Sequence, residues 1–120
     1  MATLNTTLAI SSTNVSSDSL SLSISDVLTV ANPSVGLSRA TITTADNQEI
    51  YDEALSAAAY IYVKNLDVTN YVLLQTTASV VWGRLGPGEV ILFSIDPAAG
   101  LELRANSASC IVEYAYWTKG

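Results

Sequence analysis

Hydrophobic and polar residues alternate along this chain in short runs separated by turn signals, and a period of two predicts strands. Near the start, Leu20, Leu22 and Ile24 alternate with Ser19, Ser21, Ser23 and Ser25, which gives a strand one apolar and one hydroxyl face. A weaker alternation puts Leu4, Leu8 and Ile10 on one side, followed by Ser11-Ser12-Thr13-Asn14 as a loop. A flexible Ser/Thr linker has no reason to keep its apolar residues in register. Residues 1–38 are therefore read as strands, or as an arm that becomes ordered against a neighbouring subunit. Asn32-Pro33-Ser34 and Gly36 predict a break before a short strand around Arg39 to Thr44.

Asp46-Asn47-Gln48 opens the one stretch with helical spacing, Glu49 to Ala58, where Ile50, Ala54 and Ala57 or Ala58 fall on one face and carboxylates crowd the first turn. It predicts one or two helical turns bridging two strands. Beyond it, strands are predicted over Ala59–Asn65, Tyr71–Thr76, Val80–Leu85, Glu89–Ile95, Leu101–Ala105 and Cys110–Thr118. Gly86-Pro87-Gly88 is read as a hairpin turn, because proline sets φ and the glycines permit positive φ. In the last strand Cys110, Val112, Tyr114 and Tyr116 face one way, and Ile111, Glu113, Ala115 and Trp117 the other. The first set is expected on the core side. Short strands at this spacing predict an all-β fold: a single antiparallel β-sandwich, jelly-roll-like, with an extended N-terminal arm (1–38), a sandwich core (39–120) and at most one short helix.

Composition narrows the function. The 120 residues suit one domain, and a formal net charge of −6 with cations only at Arg39, Lys64, Arg84, Arg104 and Lys119 opposes a broad grip on nucleic acid. Charged residues make up 13% of the chain and hydrophobic ones 49%, a balance that does little to resist association and points to subunit contacts. No cation precedes Arg39 and no apolar run approaches membrane-helix length, so neither a secretory signal nor a membrane partner is expected.

Histidine is absent and Cys110 is the only cysteine, which leaves no His-based triad, internal disulfide or ordinary zinc ligand set. Cys110 sits in an apolar segment and is read as a small buried hydrophobe. The carboxylates Asp46, Glu49, Asp52 and Glu53 match no EF-hand spacing and are read as a solvated helix start. Gly83, Gly86 and Gly88 lack the Lys-Ser/Thr of a phosphate loop, and Glu89 would repel an anion there. No catalytic residue, cofactor or metal is expected, and the chain is read as a non-enzyme. The candidate interface residues are Leu20, Leu22, Ile24, Trp82 and Trp117.

Tyr60-Ile61-Tyr62-Val63-Lys64-Asn65, Leu85-Gly86-Pro87-Gly88-Glu89, Ala105-Asn106 and Val112-Glu113-Tyr114-Ala115-Tyr116 resemble small virion structural proteins of tailed bacteriophages, those of cyanobacterial phages first. The resemblance covers about the second half of the chain; the first half shares only composition and the opening Met-Ala-Thr-Leu-Asn. It implies a capsid decoration (cement) protein on the outer capsid surface, made in the host cytoplasm. The implied partners are the major capsid protein and copies of itself, as a homo-oligomer of the trimeric kind. The alternative is a tail or fibre component, with the exposed aromatics binding a host-surface glycan.

Overall fold

The structure is a computed structural model and describes residues 2–14, 20–46, 48–52 and 55–120. The chain falls into two units, Met1–Ala31 with Gly120, and Asn32–Lys119.

The first unit is a two-stranded ribbon. Strand β1 (Ala2–Ser12) pairs antiparallel with the first part of β2 (Leu20–Ile42), in unbroken register from Ala2 opposite Val30 to Ser12 opposite Leu20. Residues directly opposite share a face. Leu4 with Leu28, Leu8 with Ile24 and Ile10 with Leu22 therefore line one side, and Thr3 with Thr29, Thr7 with Ser25 and Ser11 with Ser21 the other. The predicted amphipathic alternation thus becomes a ribbon with an aliphatic face and a mainly polar one, on which Val27, opposite Asn5, stands exposed.

The second unit contains the rest of β2 and seven further strands: β3 (Gln48–Tyr51), β4 (Ala59–Asn65), β5 (Val72–Gln75), β6 (Val81–Leu85), β7 (Val90–Ile95), β8 (Leu101–Ala105) and β9 (Cys110–Lys119). One sheet runs β2-β9-β4-β7 and the other β3-β8-β5-β6. The adjacent pairs β5/β6, β4/β7, β3/β8 and β2/β9 are successive rungs of one long antiparallel hairpin rolled up between two sheets. That is the jelly-roll order, and the unit is an all-β sandwich.

Its core follows from period-two burial. Along β4, Ala59, Ile61, Val63 and Asn65 are buried and Tyr60, Tyr62 and Lys64 are half-buried on the other face. Against them pack Val72, Leu74, Leu101 and Leu103 of the second sheet, together with Cys110 and Val112 of β9. Full burial of each large aliphatic side chain is worth on the order of 1.5–3 kcal/mol relative to exposure. Tyr114 and Tyr116 pack against the same cluster while Ile111 stays exposed, so the expected division of the last strand holds.

Three local expectations are corrected. Glu49 to Tyr51 lie in strand β3, not in a helix, and no α-helix occurs among the described residues; Glu53 and Ala54 lie outside them. Tertiary pairing overrides helical spacing here, because β3 completes a sheet edge against β8 and buries Ile50 and Tyr51. Asn32-Pro33-Ser34 and Gly36 do not interrupt β2, which runs from Leu20 to Ile42. A proline only has to keep its missing N–H off the ladder, and its fixed φ suits extended backbone. Gly86-Pro87-Gly88 turns the chain between sheets instead of closing a hairpin, since β6 pairs with β5 and β7 with β4. The turn itself is as expected: Gly88 has φ of 74°, and Glu89 N–H donates to the Gly86 carbonyl at 3.1 Å.

Candidate functional site

In the ribbon, Leu20, Leu22 and Ile24 are exposed on the aliphatic face beside Leu8 and Ile10. Ser19 lies outside the described residues. The face carries one charge, Asp26, opposite Thr6. A two-stranded ribbon buries little by itself and is marginal in water, and this face leaves the large aliphatic side chains of Leu8, Ile10, Leu20, Leu22 and Ile24 exposed.

Trp82 and Trp117 sit on different sheets of the sandwich. Trp117 is half-buried on the outward face of β9, opposite Tyr60, and Lys119 Nζ lies 4.9 Å from the centre of the Tyr60 ring. On that same face Tyr62 Oη donates to Glu113 Oε1 at 2.9 Å, and Arg39 Nε lies 3.8 Å from Glu113 Oε2. Burial, then the hydrogen bond to Glu113 and its charge, push the Tyr62 hydroxyl pKa above its ordinary value. Ala115 is buried on this outward face opposite Tyr62, and Leu92 stands exposed on the other side of Tyr62.

Trp82 is placed by a bulge. Leu74 pairs with Gly83 and the next residue, Gln75, with Val81, so Trp82 is the extra residue of β6. A bulge re-aims a side chain. Strict alternation would point Trp82 away from the sandwich; instead its ring meets Phe93 of β7 edge to face, centroids 5.3 Å apart. Gly83 permits the arrangement, because a Cβ there would approach Leu74 Cδ1 to 3.3 Å. β6 and β7 are the edge strands of their respective sheets, so the Trp82–Phe93 contact spans one open side of the sandwich. Beside it lies a cleft of about 300 Å³ lined by Thr76, Trp82, Phe93, Asp96, Ala99 and Gly100, among others.

A third cluster is structural. Asn65 is fully buried, and its Nδ2 donates to the carbonyls of Asn70, Leu85 and Gly86 at 2.9, 3.2 and 3.2 Å while Oδ1 accepts Asp67 N–H at 3.0 Å. One amide thus ties the turn after β4 to the turn after β6. Asp67 Oδ2 accepts the N–H groups of Asn70 and Thr69 at 2.6 and 2.9 Å, which hold its carboxyl below the usual range.

Two further carboxylates are engaged locally. Asp46 pairs with Arg104 at 3.1 Å, and Glu89 Oε2 accepts Gly86 N–H at 2.8 Å, so the glycine turn is filled by the chain's own carboxylate. Cys110 is buried in the core, and burial raises its thiol pKa. Among the described residues no group of three or more His, Cys, Asp or Glu is arranged to hold a metal. No helix among them is long and apolar enough to cross a membrane. Compared with known protein families, curated proteins and solved structures, the chain matches none.

Sequence reasoning marked Trp82 but not its neighbours in the cleft. Phe93 falls within the predicted strand Glu89–Ile95 and Asp96 just after it, and neither adjoins Trp82 in sequence. The available signal was Gly83 beside an aromatic, since glycine within a strand often marks a bulge.

Proposed function

We propose that this chain is a structural component of a tailed-phage virion, a decoration protein on the outer capsid surface that contacts the major capsid protein and copies of itself. The observation that carries the reading is the ribbon. Its aliphatic face of Leu8, Ile10, Leu20, Leu22 and Ile24 is solvent-exposed in the isolated chain, and a two-stranded ribbon gains stability by covering such a face on a neighbour. The jelly-roll order supports it as well, because that architecture recurs in capsid and lectin domains and works there as a rigid block with paired or protected strands. The residue-level resemblance to small virion proteins of tailed phages points the same way. The role is static and asks for buried area rather than catalysis.

The test is reconstitution. Purified protein mixed with undecorated heads should co-sediment at a stoichiometry proportional to capsid subunits, and Leu22→Ser with Ile24→Ser should abolish binding while leaving the sandwich folded. Attachment only at the tail would favour the fibre reading. Undiminished head binding by the double variant would remove the ribbon from the interface.

A further inference from the structure

We propose that the edge cleft beside Trp82 is a binding site for a neutral saccharide, a role independent of where in a virion the chain sits. Three features combine. Trp82 is 46% exposed yet fixed by its bulge and its contact with Phe93, so it presents an aromatic face with little freedom to lose on binding. The cleft is mainly apolar, and Asp96 and Thr76 are among the few polar side chains that line it. Asp96 Oδ1 accepts Ala98 N–H at 2.8 Å, which orients the carboxylate and leaves Oδ2 to accept a ligand hydroxyl. Thr76 Oγ1 accepts Val80 N–H at 3.3 Å and keeps its own hydrogen to donate. An aromatic side chain in a mainly apolar cleft that also holds one acceptor and one donor matches a pyranose ring, whose C–H face stacks and whose hydroxyls bridge.

Charge decides the class of sugar. Asp96 is the only charged residue lining the cleft among the described residues, and the chain carries a net −6. A uronic or sialic acid would meet a carboxylate with no cation to offset it. The volume, about 300 Å³, is at the low end for small-molecule sites and limits the ligand to one or two rings. The floor is rigid: Gly100 is buried with φ of 63°, and the Ala99 carbonyl accepts Thr77 N–H at 3.0 Å and Thr77 Oγ1 at 3.1 Å.

The experiment is a titration of the isotope-labelled full chain, followed by amide chemical shifts, with the methyl glycosides of glucose, galactose, mannose and N-acetylglucosamine. Glucuronic acid and indole serve as comparison ligands. At least one glycoside should shift the amides of Trp82, Asp96 and Gly100 with Kd of about 1 mM. Trp82→Ala and Asp96→Asn should each weaken that binding roughly tenfold with the melting temperature held, since Asn keeps the oxygen that Ala98 needs. If Trp82→Ala proves unstable, Asp96→Asn alone carries the test. Absence of a localised response to every glycoside, tighter binding of glucuronic acid or indole, or affinity undiminished in Asp96→Asn would overturn the assignment.

Discussion

Tyr51 and Tyr116 meet edge to face with ring centroids 5.1 Å apart and planes at 88°, joining β3 of one sheet to β9 of the other. Tyr51 is almost fully buried, and its hydroxyl donates to the Ala57 carbonyl, so one side chain packs between the sheets and also anchors the segment leading into β4. Burial is the main cause of its raised pKa. Tyr51→Phe keeps the ring contact and loses the hydrogen bond, at an expected cost of about 1 kcal/mol. Tyr51→Ala also leaves a cavity and should cost about 3–5 kcal/mol in denaturant unfolding. Equal effects of the two variants would show that the hydroxyl, not the ring, carries the contribution.

If the chain has the proposed role, variants at Tyr114 and Trp117 should separate folding from association. Tyr114 packs against the core cluster, whereas Trp117 belongs to the outward face with Glu113 and Ala115. Tyr114→Ala should lower the melting temperature sharply. Trp117→Ala should leave it within a few degrees and reduce self-association or particle attachment, read by light scattering and co-sedimentation. The reverse ordering of the two melting temperatures would exchange the roles of the two faces.

Asn65 gives a sharper stability test, because its amide serves carbonyls of two turns at once. Asn65→Ala strands those carbonyls and should cost about 3 kcal/mol, a fall in melting temperature of roughly 10 °C or more. Asn65→Asp should be worse at neutral pH, since it turns a buried carboxylate toward carbonyl oxygens. It should recover in part in acid, where the protonated group regains one donor. A melting temperature for Asn65→Asp that does not rise on acidification would contradict this account.

The pH dependence has two signs. Tyr51 and Tyr62 have hydroxyl pKa values raised above the ordinary 10.0, so their share of stability is present below about that pH and is lost as pH rises through their higher folded values. Asp67 is lowered from 3.8, and its share is present above that value and lost as pH falls through the lower folded one. Urea unfolding from about pH 9 to pH 12 should show a decline that is shallower in Tyr62→Phe. A decline of the same slope in that variant would assign the alkaline loss to other groups.

Much of this architecture was legible from local pattern. Ala59–Asn65 and Leu101–Ala105 are strands over the predicted spans, because their apolar residues repeat every second position and one face had to be buried. The amphipathic character of Leu20, Leu22 and Ile24 was likewise readable, and it yields the aliphatic face of the ribbon. The segment from Glu49 was not readable, since spacing and early carboxylates favoured a helix locally while a free edge of β8 favoured a strand. Local propensity amounts to a fraction of a kcal/mol per residue, and burial of Ile50 and Tyr51 outweighs it.

For regularly alternating segments such as Ala59–Asn65 and Leu101–Ala105, the sequence alone determined that they are strands and which positions share a face, because both follow from a period set by backbone geometry. Tertiary structure alone decided which strand lies beside which. β6 and β7 share a short glycine turn yet belong to different sheets, and Trp82 reaches Phe93 only because one extra residue in β6 turns its ring toward the open edge. Such placements depend on pairings between segments far apart in the chain, whose energies are realised only when the whole sandwich closes around its core.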